Sequence, residues 1–177
     1  MRYRQVKSAK AVQSAKVVQS AKAVQSLDLS AKAVLKRFDR GHKSAGAYLL
    51  EGEVVKKVYD LGKSSHKRRF QIEVAHLRHL SGCRFVPKLL HVDDSKGEIY
   101  MTYCGETPER TKANLDENRR LVKKLYKKWG LARMSKSGKP VFRTDLQNTA
   151  VMNDEMSLLD FGSSNWKNIT GMMANLG

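Results

Sequence analysis

The chain has 177 residues, is 41% hydrophobic and 29% charged, and carries a formal net charge of +17 with an isoelectric point near 10.0. This is length for one domain or a domain with a tail, in an ordinary globular mix. No run approaches 18 apolar residues and the opening MRYRQVKSAK has no apolar secretory core, which argues against a spanning helix and an export signal. Cys83 and Cys104 form no metal-ligand spacing, so they read as reduced thiols of an intracellular protein, cytoplasmic or nuclear. The charge predicts attraction to polyanions without selecting nucleic acid, nucleotide, acidic protein or anionic lipid.

Residues 8–35 hold a near-repeat: SAKAVQ, SAKVVQ, SAKAVQ, then SLDL, then SAKAVL. A six-residue period gathers no clean apolar face on a helix or on a strand. Ala, Lys and Gln are good helix formers, so residues 1–36 are expected to be a basic low-complexity arm, helical or disordered. Residues 1–40 contain ten Lys or Arg against two Asp, a net of +8. The arm reads either as an expansion without a packed role or as a contact for a polyanion, nucleic acid included.

The globular part is expected over 37–177. AYLLEGEVVKKVYD (47–60) predicts two strands joined at Glu51-Gly52. Alternation puts Val55, Lys57 and Tyr59 on one face and Lys56 on the other. Adjacent lysines inside a strand require an anionic partner or an exposed edge for one of them. SSHKRRFQIEVAHLRHLSG (64–82) predicts a helix capped by Ser64 or Ser65, with Phe70, Val74, Leu77 and Leu80 on one face and Gly82 as its stop. FVPKLLHVDD and GEIYMTYCGE predict two strands with a turn at Ser95-Lys96-Gly97. LDENRRLVKKLYKKWGLA (115–132) predicts a second helix with Leu121, Leu125 and Trp129 as its spine. KPVFRTDLQNTAVMNDEMSLLDFG predicts a strand-rich hairpin turning at Asn153-Asp154. The order of elements gives an α+β fold with an antiparallel sheet.

Over roughly residues 40–165 this order resembles the protein-kinase-like superfamily, whose signature is a Gly-rich loop, a strand lysine, a helix glutamate, a catalytic loop with Asp and Asn, and a DFG aspartate. The matching segments are GHKSAG (Gly41, Lys43, Gly46), VVKKVY (Val55, Lys57), FQIEVAHL (Glu73), IYMTYCGE (Met101 to Cys104), VFRTDLQNTAVM (Asp145, Asn148) and LLDFG (Asp160). The resemblance implies a minimal two-lobe fold. An N-lobe of about 37–105 would hold the sheet and one αC-like helix, and a truncated helical C-lobe would occupy about 106–177. It implies ATP and Mg²⁺ as cofactors and transfer of the γ-phosphate to a hydroxyl acceptor of the Ser/Thr kind, on a protein or a small molecule.

By the same resemblance Lys57 contacts the phosphates and Glu73 orients it. Gly41, Lys43, Gly46, Val55, Met101, Thr102, Tyr103 and Cys104 hold the nucleotide, Asp145 faces the acceptor, and Asn148 and Asp160 hold metal. From the residues alone, Lys56 and Lys57 also fit a solvated edge strand, and Glu73 also fits a rim residue paired with Arg69 or Arg78. Three departures from the family pattern stand out. Lys43 replaces the middle glycine, Asn148 follows Asp145 by three residues rather than five, and Phe142, Arg143 and Thr144 precede Asp145 where the family has a histidine. A loop this short turns both side chains inward if Gln147 points out. Only 15 residues follow Gly162, too few for a peptide-docking platform, as in compact atypical or viral kinase-like proteins. If viral, the setting is a host cell or virion. The alternatives are a pseudokinase scaffold, with a partner completing the small C-lobe, and a basic structural or nucleic-acid-binding protein.

Overall fold

The computed structural model describes residues 29, 31–38, 46–142, 144–162 and 166–168. Most of the repeat lies outside them, as do Gly41 and Lys43. Five strands form an antiparallel sheet: β1 (Val34–Phe38), β2 (Gly46–Leu50), β3 (Val54–Val58), β4 (Leu89–Asp93) and β5 (Glu98–Thr102), in the order β1-β2-β3-β5-β4. The β2–β3 turn falls at the expected Glu51-Gly52, and Gly52 and Glu53 both have positive φ (75° and 57°). β1 starts at Val34, so the last residues of the expected arm already belong to the sheet, and the compact unit holding the sheet spans 33–177.

Helix α1 (Ser64–His79) links β3 to β4. Its Phe70, Val74 and Leu77, with Leu80 just beyond, enter a core with Ile99 and Met101 of β5. Lys63, without a side-chain cap bond, precedes the helix, so Ser64 and Ser65 sit in the first turn rather than capping it. The helix ends before Leu80, two residues ahead of the expected stop at Gly82.

Helix α2 runs from Lys112 to Trp129. The Thr111 hydroxyl caps it by accepting the Asn114 N–H at 3.2 Å, three residues upstream of the expected start at Leu115. Gly130 ends it in the left-handed conformation (φ 62°), so Leu131 and Ala132 belong to a strand and not to the helix. Leu121, Val122 and Leu125 are its buried face.

Beyond α2 the described residues form mostly short strands, as the strand-rich reading of 139–162 expects and unlike the helical C-lobe implied by the resemblance, because turns at Gly138 and Asn153-Asp154, all with positive φ, fold the chain back on itself. β6 (Leu131–Met134) pairs with β7 (Pro140–Val141) and with β10 (Trp166–Asn168), and β8 (Thr149–Met152) pairs with β9 (Glu155–Leu158). Among the described residues no helix is long and apolar enough to cross a membrane.

The segment leaving β5 is stitched to β8 by a reciprocal pair of backbone bonds, Val151 N–H to the Glu106 carbonyl at 2.8 Å and Glu106 N–H to the Val151 carbonyl at 3.3 Å. Gly105 permits this. Its φ is +97°, and a Cβ there would overlap the Val151 carbonyl oxygen. Gly105→Ala is therefore expected to destabilise the protein by well over about 1 kcal/mol. Gly138→Ala, at φ +76° with open space around it, should cost less. Urea unfolding of the two variants checks this, and equal losses would contradict the close-approach account.

Candidate functional site

Helical spacing buries Glu73 on the same side of α1 as Phe70, Val74 and Leu77, leaving it 1% exposed. A carboxylate there needs a countercharge and further hydrogen bonds. Strand β3 supplies both, because period-two alternation turns Lys57 and the following Tyr59 to one side. The Lys57 ammonium meets Glu73 Oε1 at 2.6 Å and the Tyr59 hydroxyl donates to Glu73 Oε2. Lys56, one residue out of phase, pairs instead with Glu98 at 3.5 Å and lies over the Tyr48 ring. Both lysines thus have carboxylate partners, and Glu73 is a buried residue rather than a rim residue.

The third charged group arrives from β9. Asp160 has φ 57°, an uncommon conformation for a residue with a side chain. Its neighbours fix that turn. Phe161 is fully buried between His76 and Trp166, and the His76 Nδ1–H donates to the Phe161 carbonyl at 3.0 Å. Burial lowers the His76 pKa, which keeps the ring a neutral donor. A Cβ on Gly162 would stand 3.2 Å from Glu73 Oε2, so the residue after Phe161 has little room for a side chain. The Asp160–Gly162 turn is thereby held against α1 beside the Lys57–Glu73 pair.

These groups open onto a cavity of about 870 Å³. Ala47, Val55, Leu77, Met101 and Ala150 form apolar walls, and Lys57, Glu73, Asn148 and Asp160 line it as well. Thr102, Tyr103 and Cys104 border it where the chain leaves the sheet. The Tyr103 N–H, bonded to the Glu53 carbonyl at 2.8 Å, comes just before Cys104. At the mouth Lys36 meets Glu106 at 3.0 Å, and the Tyr103 hydroxyl donates to the same carboxylate at 2.7 Å.

Of the residues singled out in the sequence, Val55, Lys57, Glu73, Met101, Thr102, Tyr103, Cys104, Asn148 and Asp160 line this one cavity. Gly46 opens β2 and is not among the lining residues. Asp145 is exposed and off the cavity wall, its carboxylate accepting the Gln147 N–H at 3.2 Å. Gln147, the residue that would point outward if Asp145 and Asn148 both turned in, is exposed and also lines the cavity beside Asn148. The short 3-10 turn Leu146–Asn148 achieves this, with Asn148 N–H bonded to the Asp145 carbonyl at 2.9 Å and the Leu159 N–H bonded to the Asn148 carbonyl at 2.7 Å. The second bond brings Asn148 next to the Asp160 turn.

Tyr59, His76 and Asn118 do not stand out as site residues in the sequence. Tyr59 shares the face of Lys57 by simple alternation, which is the available signal. Asn118 is buried on α2 and accepts the Thr144 N–H at 2.9 Å, holding the loop before Asp145. Nothing in the local pattern marks that contact. Among the described residues no three His, Cys, Asp or Glu side chains gather as a metal site. Among the side-chain oxygens that line the cavity are the Asn148 amide and the Asp160 carboxylate, the two groups the resemblance assigns to metal. That donor set fits a hard cation such as Mg²⁺, which takes few protein ligands and completes its shell with phosphate oxygens and water.

Burial alone would lower the Lys57 pKa, but the carboxylates of Glu73 and then Asp160 outweigh it and hold it above 10.5. Burial first, and the Glu73 carboxylate second, raise the Tyr59 pKa above 10.0. Both groups hold their protons more tightly in the folded state. The stability they contribute is complete below pH 10.0 and is lost as pH rises through 10.0 and 10.5 toward the folded values. Tyr59→Phe should lower stability at pH 8 by about 1.5–3 kcal/mol, since it removes a hydrogen bond to a charged group. It should then lose less than the wild type between pH 8 and about pH 11. Urea titrations at the two pH values measure this, and identical alkaline losses would contradict it.

Comparison with known proteins adds no assignment: no protein-family model matches the chain, and no curated protein matches it in sequence.

Proposed function

We propose that the chain is a minimal protein-kinase-like phosphotransferase that binds ATP with Mg²⁺ and passes the γ-phosphate to a hydroxyl acceptor of the Ser/Thr kind. The observation that carries this reading is the pair of half-buried Lys57 and buried Glu73, 2.6 Å apart, opening with Asp160 onto one apolar-walled cavity. A volume of about 870 Å³ lies within the range of nucleotide-sized sites. Val55, Ala47, Met101 and Ala150 supply flat apolar contact for a base, and the backbone bordering the cavity at Thr102–Cys104 supplies its polar edge. Lys57, held charged and aimed by Glu73, directs its remaining N–H donors to phosphate oxygens. Asn148 and Asp160 hold the metal, which when bound neutralises charge on the phosphates. Asp145, exposed at the head of the turn that carries Asn148, receives the acceptor hydroxyl from the solvent side.

One observation favours a second reading, a nucleotide-binding scaffold without turnover. The Asp145 carboxylate caps its own turn through the Gln147 N–H and does not reach the cavity. In phosphoryl transfer a displacement of about 1 Å can reduce the rate on the order of a hundredfold.

Two experiments test the site. Mg·ATP should raise the melting temperature by mass action. Asp160→Ala should abolish the Mg²⁺-dependent part of that rise, and Lys57→Ala should weaken binding by at least tenfold more than Lys56→Ala, whose side chain meets Glu98 instead. Equal losses at the two lysines would contradict the assignment. For turnover, the phosphotransferase reading expects Asp145→Asn to remove γ-phosphate transfer while leaving the Mg·ATP shift intact. A wild-type rate no higher than that of Asp145→Asn selects the scaffold.

A further inference from the structure

We propose that the outer face of α2, in its C-terminal half, is a docking surface for the phosphate backbone of a nucleic acid. The segment LVKKLYKKW (121–129) places lysines at 123, 124, 127 and 128. On a helix these form two adjacent rows, 123 with 127 and 124 with 128, with neighbours in a row about 6 Å apart. The other side of the same turns, Leu121, Val122 and Leu125, is in the core, which leaves Lys123, Lys127 and Lys128 exposed and Lys124 half-buried at the edge of the face. The two acids of the helix, Asp116 and Glu117, lie in its N-terminal half and pair with Arg119 at 3.0 Å and Arg120 at 2.7 Å. Among the described residues no carboxylate forms an ion pair with any of the four lysines.

Three of the four lysines lie over aromatic rings, Lys123 among them with its Nζ 6.0 Å from the Phe142 centroid. Lys124 Nζ lies 4.7 Å from the centroid of the Phe85 ring, with the Arg84 guanidinium 4.9 Å from the same ring, and Lys128 Nζ lies 4.6 Å from the Trp129 ring. Arg84 adds a fifth cation and pairs only at 3.8 Å with the exposed Glu155. Four like charges in neighbouring rows repel one another. The helix dipole offsets this only in the last turn, at Lys127 and Lys128. The array therefore lacks a counter-anion of its own, in a chain with net charge +17.

A polyphosphate backbone supplies one regularly. A duplex carries a charge about every 3.4 Å along each strand, so each row spans about two phosphates. A lipid surface fits less well, because the apolar side of α2 is buried in the core and leaves no residue to insert. An acidic protein would be better matched by the paired donors of arginine than by lysine point charges.

The test uses the full chain, with anisotropy of a labelled single-stranded RNA and a DNA duplex of equal length across a salt series. The variant K123Q/K124Q/K127Q/K128Q should reduce the slope of log affinity against log salt by about 3, since each phosphate contact contributes about 0.7–0.9. A dispersed variant with the same charge change, K67Q/K88Q/K136Q/K139Q, should reduce it by less than about 1. The paired variants K123Q/K127Q and K124Q/K128Q should each give about half the effect and guard against misfolding of the fourfold variant, with the Mg·ATP melting shift retained throughout. Equal slopes for the array and dispersed variants would overturn the proposal, leaving only diffuse attraction. So would a greater loss of binding to phosphatidylserine vesicles or to polyglutamate than to either nucleic acid.

Discussion

The buried carboxylate of Glu73 is the constraint around which the site is arranged. A charge 1% exposed among Phe70, Val74 and Leu77 is tolerable only when fully partnered, and its partners come from the preceding strand and the residue just after it, 16 and 14 residues earlier. Satisfying it fixes the register of β3, since a slip of one residue would present Lys56 in place of Lys57. It fixes the position of α1 across the sheet. It also restricts the position after Phe161 to a small residue, because Gly162 stands against the same carboxylate. Removing one partner from such a pair typically costs about 3–5 kcal/mol, through the charge left uncompensated. Sheet, helix and the Asp160 turn are thus coupled through one side chain, which is the coupling a site needs to hold three charged groups in fixed relation.

The apolar side of the cavity has a different origin. Strand alternation directs Val55 inward with Lys57, β5 contributes Met101, and the β8 hairpin contributes Ala150. The hairpin is brought there by the Gly105–Val151 crossing. The cavity therefore depends on one backbone contact as much as on its side chains.

Much of this is legible in the sequence where the signal is local. The period-two run VVKKVY places Lys57 opposite Lys56, and the 3.6-residue spacing of Phe70, Val74 and Leu77 places Glu73 near the buried face. Asn148 and Asp160, both singled out in the sequence, line the same cavity. The features that are not legible depend on contacts between distant segments. The β6–β10 pairing joins two short, mixed stretches with no distinctive pattern, and Asn118 reads as one polar residue on a helix until Thr144 packs beside it. An alternating turn would face Gln147 outward. The 3-10 turn instead carries Gln147 and Asn148 to the cavity and leaves Asp145 outside. The apolar period alone starts α2 at Leu115, whereas the Thr111 cap overrides that period and adds a turn.

The proposed function rests on Lys57 and Glu73 acting as one unit facing a nucleotide. The most direct measurement is a double-mutant cycle with Lys57→Met and Glu73→Gln, read as Mg·ATP affinity by calorimetry. The account predicts strong non-additivity: either single change weakens binding about as much as both together, because Glu73 affects the nucleotide through Lys57. Additive losses, or undiminished affinity in the double variant, would show that the pair holds the fold together without serving a nucleotide.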